Sequence, residues 1–173
     1  MARPSKLSHL VLQTNRRREM IAWYCTVLGA EILYEAERIS FISYDEEHHR
    51  VAFLDPGPLA AHDPRAAGLH HVAFTYSDLD EYADNYLRLK ALGITPRQCT
   101  NHGVTTSMYY LDPDGNQVEL LLDNFAVAAE GNAYMRGRSR ADKHPTGIPF
   151  DPDELVARVR HGLRREELAA INT

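Results

Sequence analysis

Leu69-His70-His71-Val72-Ala73-Phe74 decides how this chain is read, because Ser8-His9-Leu10-Val11-Leu12 has already stated its pattern. Each stretch reads as a strand and leads into a helical stretch that stops on a glycine. Those stops are Leu28-Gly29-Ala30 in the first copy and Leu92-Gly93-Ile94 in the second. Each copy then closes on an apolar strand, Arg50-Val51-Ala52-Phe53-Leu54 and Gln117-Val118-Glu119-Leu120-Leu121. Aligning the copies sets His71 at the place of His9 and Glu119 at the place of Ala52. The unit is duplicated, and only its second copy ends in an acid.

Working outward, residues 7–13 read as a strand, and Met20, Trp23, Tyr24, Val27 and Leu28 then recur at helical spacing. Gly29 follows the last of them, where a left-handed residue commonly ends a helix. Strands over 32–34, 39–43 and 50–54 complete a β-α-β-β-β module spanning 6–55, with a turn at Asp45-Glu46-Glu47. Asp55-Pro56-Gly57-Pro58 and His62-Asp63-Pro64 read as the link to a second module, 68–124. That module opens with a strand over 69–76. Ser77-Asp78-Leu79-Asp80 resembles a capping box, ahead of a helix with Leu79, Tyr82, Ala83 and Tyr86 on one face. Strands over 105–111 and 117–122 pair across Asp112-Pro113-Asp114-Gly115, where proline presets one dihedral and glycine accepts positive φ.

The expected architecture is α+β: a domain over 1–125 built of two tandem modules, then a tail over 126–173. Residues 131–150 are rich in Gly, Arg and Pro and read as irregular. A last helix begins at Pro152, with Asp151 ahead of it and Asp153 and Glu154 in its first turn. Leu155, Val156, Val159 and Leu163 form its apolar stripe. That stripe must be buried on its own domain or on another subunit. A second subunit is the favoured surface, so a homo-oligomer is expected.

The composition narrows the function. With 173 residues, 44% of them hydrophobic and 25% charged, the chain can bury an ordinary globular core. A formal net charge of −5 gives no footprint for nucleic acid, and Arg16-Arg17-Arg18 reads as a solvated surface. No apolar run is long enough for a membrane helix, and Met1-Ala2-Arg3-Pro4-Ser5-Lys6 lacks the core of a secretory signal. Cys25 and Cys99 are too few for a disulfide framework, so a reduced, cytoplasmic enzyme is expected.

Alternation along strands lets one ligand near the start of each module's first strand face a common surface. A carboxylate on the last strand of the second module can complete the set. Two imidazoles and one carboxylate bind a divalent metal while leaving positions open, as in non-heme Fe(II) oxygen chemistry. An acid set among Val118, Leu120 and Leu121 also needs a partner if it is buried.

The tandem modules, the two histidine strands and Asp112-Pro113-Asp114-Gly115-Asn116-Gln117-Val118-Glu119 resemble the vicinal oxygen chelate superfamily over residues 6–124. Within it the chain most resembles the small type I extradiol (catechol 2,3-) dioxygenases. The resemblance implies a curved mixed sheet around a metal site, with His9, His71 and Glu119 as ligands of Fe(II), a set that Mn(II) also suits. His70, adjacent on the strand, faces the other way and is not counted as a ligand. His48-His49-Arg50-Val51-Ala52-Phe53 resembles the family's acid/base motif, which gives that role to His49. His102-Gly103-Val104-Thr105 resembles the loop of a second active-site histidine, His102. Tyr109 stands where the family places a tyrosine that bonds the bound catecholate, with Tyr110 on the opposite face as the residue it is most easily confused with. The implied partners are a small aromatic diol and O2, and the implied reaction is ring cleavage next to the diol.

Rival readings exist within the same superfamily. Glyoxalase-type isomerases and lyases usually take a fourth ligand where Ala52 stands here. Fosfomycin thiol transferases use a similar His/His/Glu set. Bleomycin-resistance proteins bind their drug without a metal.

Overall fold

The computed structural model describes residues 1–63, 65–139 and 143–170. Pro64 in the expected link and residues 140–142 in the expected irregular segment lie outside the described residues. The chain divides into two compact units, Met1–Gly68 with Asp112–Asn116, and Leu69–Leu111 with Gln117–Thr173.

In the first unit, β1 (Leu10–Gln13), α1 (Arg17–Leu28), β2 (Glu31–Glu35), β3 (Ile39–Ser43) and β4 (Val51–Leu54) follow in order. The sheet runs β1-β4-β3-β2, with β1 parallel to β4 and the other pairs antiparallel. Helix α1 buries Met20, Ile21, Tyr24 and Val27, and the Tyr24 ring packs edge-on to Phe53 with centroids 5.3 Å apart. Trp23 is half-buried beside Tyr24, with ring centroids 4.9 Å apart.

The turn Asp112–Asn116 belongs to this unit and is held by one carboxylate. Asp112 is 5% exposed; its Oδ1 accepts the Asp114 and Asn116 backbone N–H at 3.0 and 2.8 Å. Its Oδ2 accepts the Asn116 amide at 2.8 Å and the Tyr24 hydroxyl at 3.1 Å. Burial pushes the Asp112 carboxyl above its usual range, against the lowering effect of these donors. Tyr24→Phe removes one donor from a buried carboxylate. It is expected to cost about 1–2 kcal/mol, read as a lower urea midpoint at unchanged slope.

The second unit repeats the order with β5 (His71–Tyr76), α2 (Leu79–Ala91), β6 (Gln98–Asn101), β7 (Thr105–Leu111) and β8 (Gln117–Asp123). Its sheet is β5-β8-β7-β6-β9, where β9 (Ile148–Pro149) is added from the tail. Asp78 caps α2 by accepting the Asp80 and Glu81 N–H, at 2.9 and 3.0 Å. The core here is Leu79, Tyr82, Ala83, Tyr86 and Leu89 of α2 against Tyr110, Val118, Leu120 and Leu122 of the sheet.

The tail departs from the sequence reading in two ways. Residues 131–150, expected to be irregular, include most of helix α3 (Ala128–Gly137) and strand β9. Gly131 weakens α3 in a propensity sum, yet it is buried in the folded helix. The second departure concerns the last helix, α4 (Pro152–Arg160), which starts where expected with Asp151 as its cap. Its stripe of Leu155, Val156 and Val159 is buried within this chain rather than awaiting a second subunit. Asp153 meets Lys90 at 2.6 Å and Tyr86 at 2.9 Å, and Arg160 reaches Asp80 and Asp84, so α4 is fastened to α2. Helix α5 (Arg165–Ala170) follows and buries Leu168 to 1% exposure.

Candidate metal centre

The two sheets share one register. In the first, Val11 pairs with Ala52 and Ala52 with Phe41. In the second, Ala73 pairs with Glu119 and Glu119 with Tyr109. His9 and His71 each stand two residues before the first member of their row. The row that is Val-Ala-Phe in one module is therefore Ala-Glu-Tyr in the other, and the acid enters with a phenol beside it.

In the second unit the side chains meet. His71 Nε2 lies 2.9 Å from Glu119 Oε2, and the Tyr109 hydroxyl donates to Glu119 Oε1 at 2.9 Å. Glu119 is 5% exposed, whereas the His71 side chain is 34% exposed. His102 Nε2 approaches the same Tyr109 oxygen at 2.9 Å. The Tyr109 proton is committed to Glu119, so His102 donates there in its Nε2–H form. Burial, and then the Glu119 charge, push the Tyr109 phenol far above its usual value, so it stays neutral through the physiological range. Tyr110, its neighbour, turns to the helix side, where its hydroxyl reaches Met108 Sδ at 3.7 Å.

In the first unit the candidates stack. The His9 and His49 rings lie 4.3 Å apart, His49 and Phe41 4.7 Å, and Phe41 and Tyr34 5.6 Å. Four rings thus form a continuous ladder, with Tyr34 53% exposed at its end. Burial lowers the His49 pKa, as do the neighbouring imidazoles of His9 and His48, with Glu47 opposing them.

Two contacts escaped the sequence reading. His70 was expected to face away from His71, yet their Nδ1 atoms lie 2.8 Å apart. His70 precedes the first paired residue of β5, so strand alternation does not govern it. His48 touches His49 in the same way, Nδ1 to Nδ1 at 2.6 Å. In the second doublet His70 meets Nδ1 of His71 while Nε2 of His71 faces Glu119, so the ring is held from both nitrogens. A histidine doublet at a strand start was the available signal.

A divalent metal fits the donors of the second unit. Glu119 is a buried carboxylate met by an imidazole and a neutral phenol rather than by a guanidinium or ammonium. Such a charge is costly to bury unless something positive or strongly donating faces it. His71 and Glu119 supply one nitrogen and one oxygen in the combination that suits Fe, Mn or Zn. Among the described residues no group of three or more His, Cys, Asp or Glu forms a ready metal cage. The donors occur as the His71/Glu119 pair and, separately, the His9/His49 stack.

Comparison with known proteins agrees with this frame. Residues 6–120 match the family model of the Glyoxalase/Bleomycin resistance protein/Dioxygenase superfamily. The chain is 50% identical over 153 residues to biphenyl-2,3-diol 1,2-dioxygenase 2 of Rhodococcus globerulus, covering 88% of this chain and 80% of that one. It is 46% identical over 165 residues to biphenyl-2,3-diol 1,2-dioxygenase 3 of the same organism, covering 94% and 86%. In fold it is similar to lactoylglutathione lyase of Agrobacterium tumefaciens, with TM-score 0.56 and 24% identity over 69% of this chain and 94% of that one. The chain belongs to the glyoxalase/bleomycin resistance protein/dioxygenase superfamily, and within it to the group of these biphenyl-2,3-diol dioxygenases.

Proposed function

We propose that the protein is an extradiol dioxygenase that opens the ring of a catechol-type diol, using both atoms of O2. The observation that carries this is the His71–Glu119–Tyr109–His102 chain of contacts around a buried carboxylate, in a protein about half identical to biphenyl-2,3-diol dioxygenases. The resident metal is proposed as Fe(II), held by His9, His71 and Glu119, the ligand set that the duplicated register supports. Fe(II) supplies a shared centre for diol and O2 and a route for electron density between them.

The remaining chemistry falls to side chains. His49, with its pKa held low, is the base that takes a proton from the diol and returns it as the ring opens. Tyr109, held neutral, is a donor that can turn from Glu119 to a catecholate oxygen, and His102 fixes the phenol from its other side. Ala52, at 1% exposure, offers no donor at the place equivalent to Glu119, which weighs against a four-ligand isomerase. The exposed Tyr34 at the end of its ring ladder favours a substrate with a second aryl ring. The substrate proposed is therefore 2,3-dihydroxybiphenyl ahead of catechol.

No described helix is long and apolar enough to cross a membrane. Both cysteines are free, in keeping with the proposed cytoplasmic setting. Homo-oligomerisation is proposed through β2, where Ile32 and Leu33 stand exposed. The test is oxygen uptake by protein reconstituted with Fe(II) under reductant, against 2,3-dihydroxybiphenyl, 3-methylcatechol and catechol. Uptake with a yellow product, fastest for the biphenyl diol, is expected. Iron-loaded protein that consumes no oxygen with any of the three would contradict the proposal.

A further inference from the structure

His102 stands on a turn that the tail braces from behind. The turn leaves β6 at Asn101 and enters β7 at Thr105, closed by the His102 N–H to the Thr105 carbonyl at 2.8 Å. Asn101 is 3% exposed and works in both directions. Its Oδ1 accepts the Gly103 N–H at 2.8 Å and the Asn124 amide at 3.2 Å. Its Nδ2 donates to the Leu168 carbonyl in α5 at 2.9 Å. That carbonyl is among the last four of its helix, which have no partner within the helix, so it needs an outside donor.

Two further features tighten the brace. Asn124, fully buried, donates to the Gly103 carbonyl at 3.0 Å and accepts from Thr106 at 2.7 Å. Gly147, with φ of 98°, lets β9 approach so closely that a Cβ there would stand 2.4 Å from the Asn101 carbonyl oxygen. The tail is thus fitted to Asn101 from the strand side and from the helix side. A primary amide has the reach to donate to Leu168 and accept from Gly103 at one position. Fixed in this way, the turn delivers His102 Nε2 to the Tyr109 hydroxyl, and Tyr109 to Glu119.

We propose that Asn101 is a positioning residue through which the carboxy-terminal tail sets His102, and through it Tyr109, for the ring-cleavage reaction. This rests on the reading of His102 as part of the active site. The Asn101 side chain bonds to Gly103, Asn124 and Leu168, so its effect on turnover runs through the turn that carries His102.

The test is a double-mutant cycle in the full chain loaded with Fe(II), with kcat, KM and bound iron measured on 2,3-dihydroxybiphenyl. Asn101→Ala is expected to lower kcat about ten- to a hundredfold, with KM and iron content near the parental values. His102→Phe is expected to lower kcat by as much or more. Adding Asn101→Ala to His102→Phe should then change kcat by less than about twofold, since interacting sites are non-additive. A full additional loss in the double variant, or a parental kcat for Asn101→Ala, would overturn the proposal. A parental kcat for His102→Phe would overturn the reading of His102 and the proposal with it. Should Asn101→Ala fail to fold, Asn101→Ser keeps one donor and one acceptor on a shorter stem and runs through the same cycle.

Discussion

Glu119→Gln is expected to abolish metal retention and, with it, turnover, while leaving the metal-free protein folded. The substitution is nearly isosteric and removes the charge that His71 and Tyr109 surround at 2.9 Å. A neutral amide at a site 5% exposed costs less to bury than a carboxylate, so the metal-free stability should change by no more than about 1 kcal/mol. Metal affinity is another matter. Loss of an outer partner to a ligand already costs roughly 10–100-fold, and loss of a ligand must exceed that. Titration of the variant with Fe(II) or Mn(II) under anaerobic conditions, with a thermal melt as the fold control, reads both quantities. Retention of metal at parental affinity would remove Glu119 from the centre.

His49→Phe is expected to do the reverse, keeping the metal and losing most of the rate. Phenylalanine can replace the imidazole within the ladder, between His9 at 4.3 Å and Phe41 at 4.7 Å, so packing changes little. What disappears is proton transfer, worth about 10²–10⁴-fold when a positioned side chain supplies it. A loss of that size in kcat with unchanged iron content supports the acid/base role. Parental turnover of 2,3-dihydroxybiphenyl by the variant would contradict it.

The second module was the more legible half of the chain. The strand over 105–111 stands where its pairing across the Asp112–Gly115 turn puts it, whereas the cap falls one residue later than the box at Ser77–Asp80 implies, on Asp78. The match of Glu119 to Ala52 follows from the shared register, because each last strand runs beside its module's first strand. Strand β6 was missed, since Gln98-Cys99-Thr100-Asn101 shows no apolar alternation. It exists because β7 pairs with it on one side and β9 on the other. Helix α3 was missed because its apolar pattern is weak and Gly131 interrupts it. The stripe of α4 was legible, but its partner was not. The Asp153–Lys90 and Arg160–Asp84 contacts join residues far apart in sequence that no periodicity connects.

Within the site, the residue types were legible and their neighbours were not. Glu119 and Tyr109 follow from the repeat and the motif, yet the hydrogen bond between them follows only from the β7–β8 register. The contacts of His70 and His48 depend on ring orientation at strand starts, where period-two reasoning has no hold. The dependence of the His102 turn on Leu168 joins the end of β6 to the end of the chain, a pairing only the folded tail creates.

The central claim is that both atoms of O2 enter the diol. The most direct measurement is mass spectrometry of the product formed under ¹⁸O2 by iron-loaded protein and 2,3-dihydroxybiphenyl, quenched promptly to limit exchange with water. Two labelled oxygens in a ring-opened product are the predicted result. An intact ring, or a ring-opened product that carries no label, would contradict it.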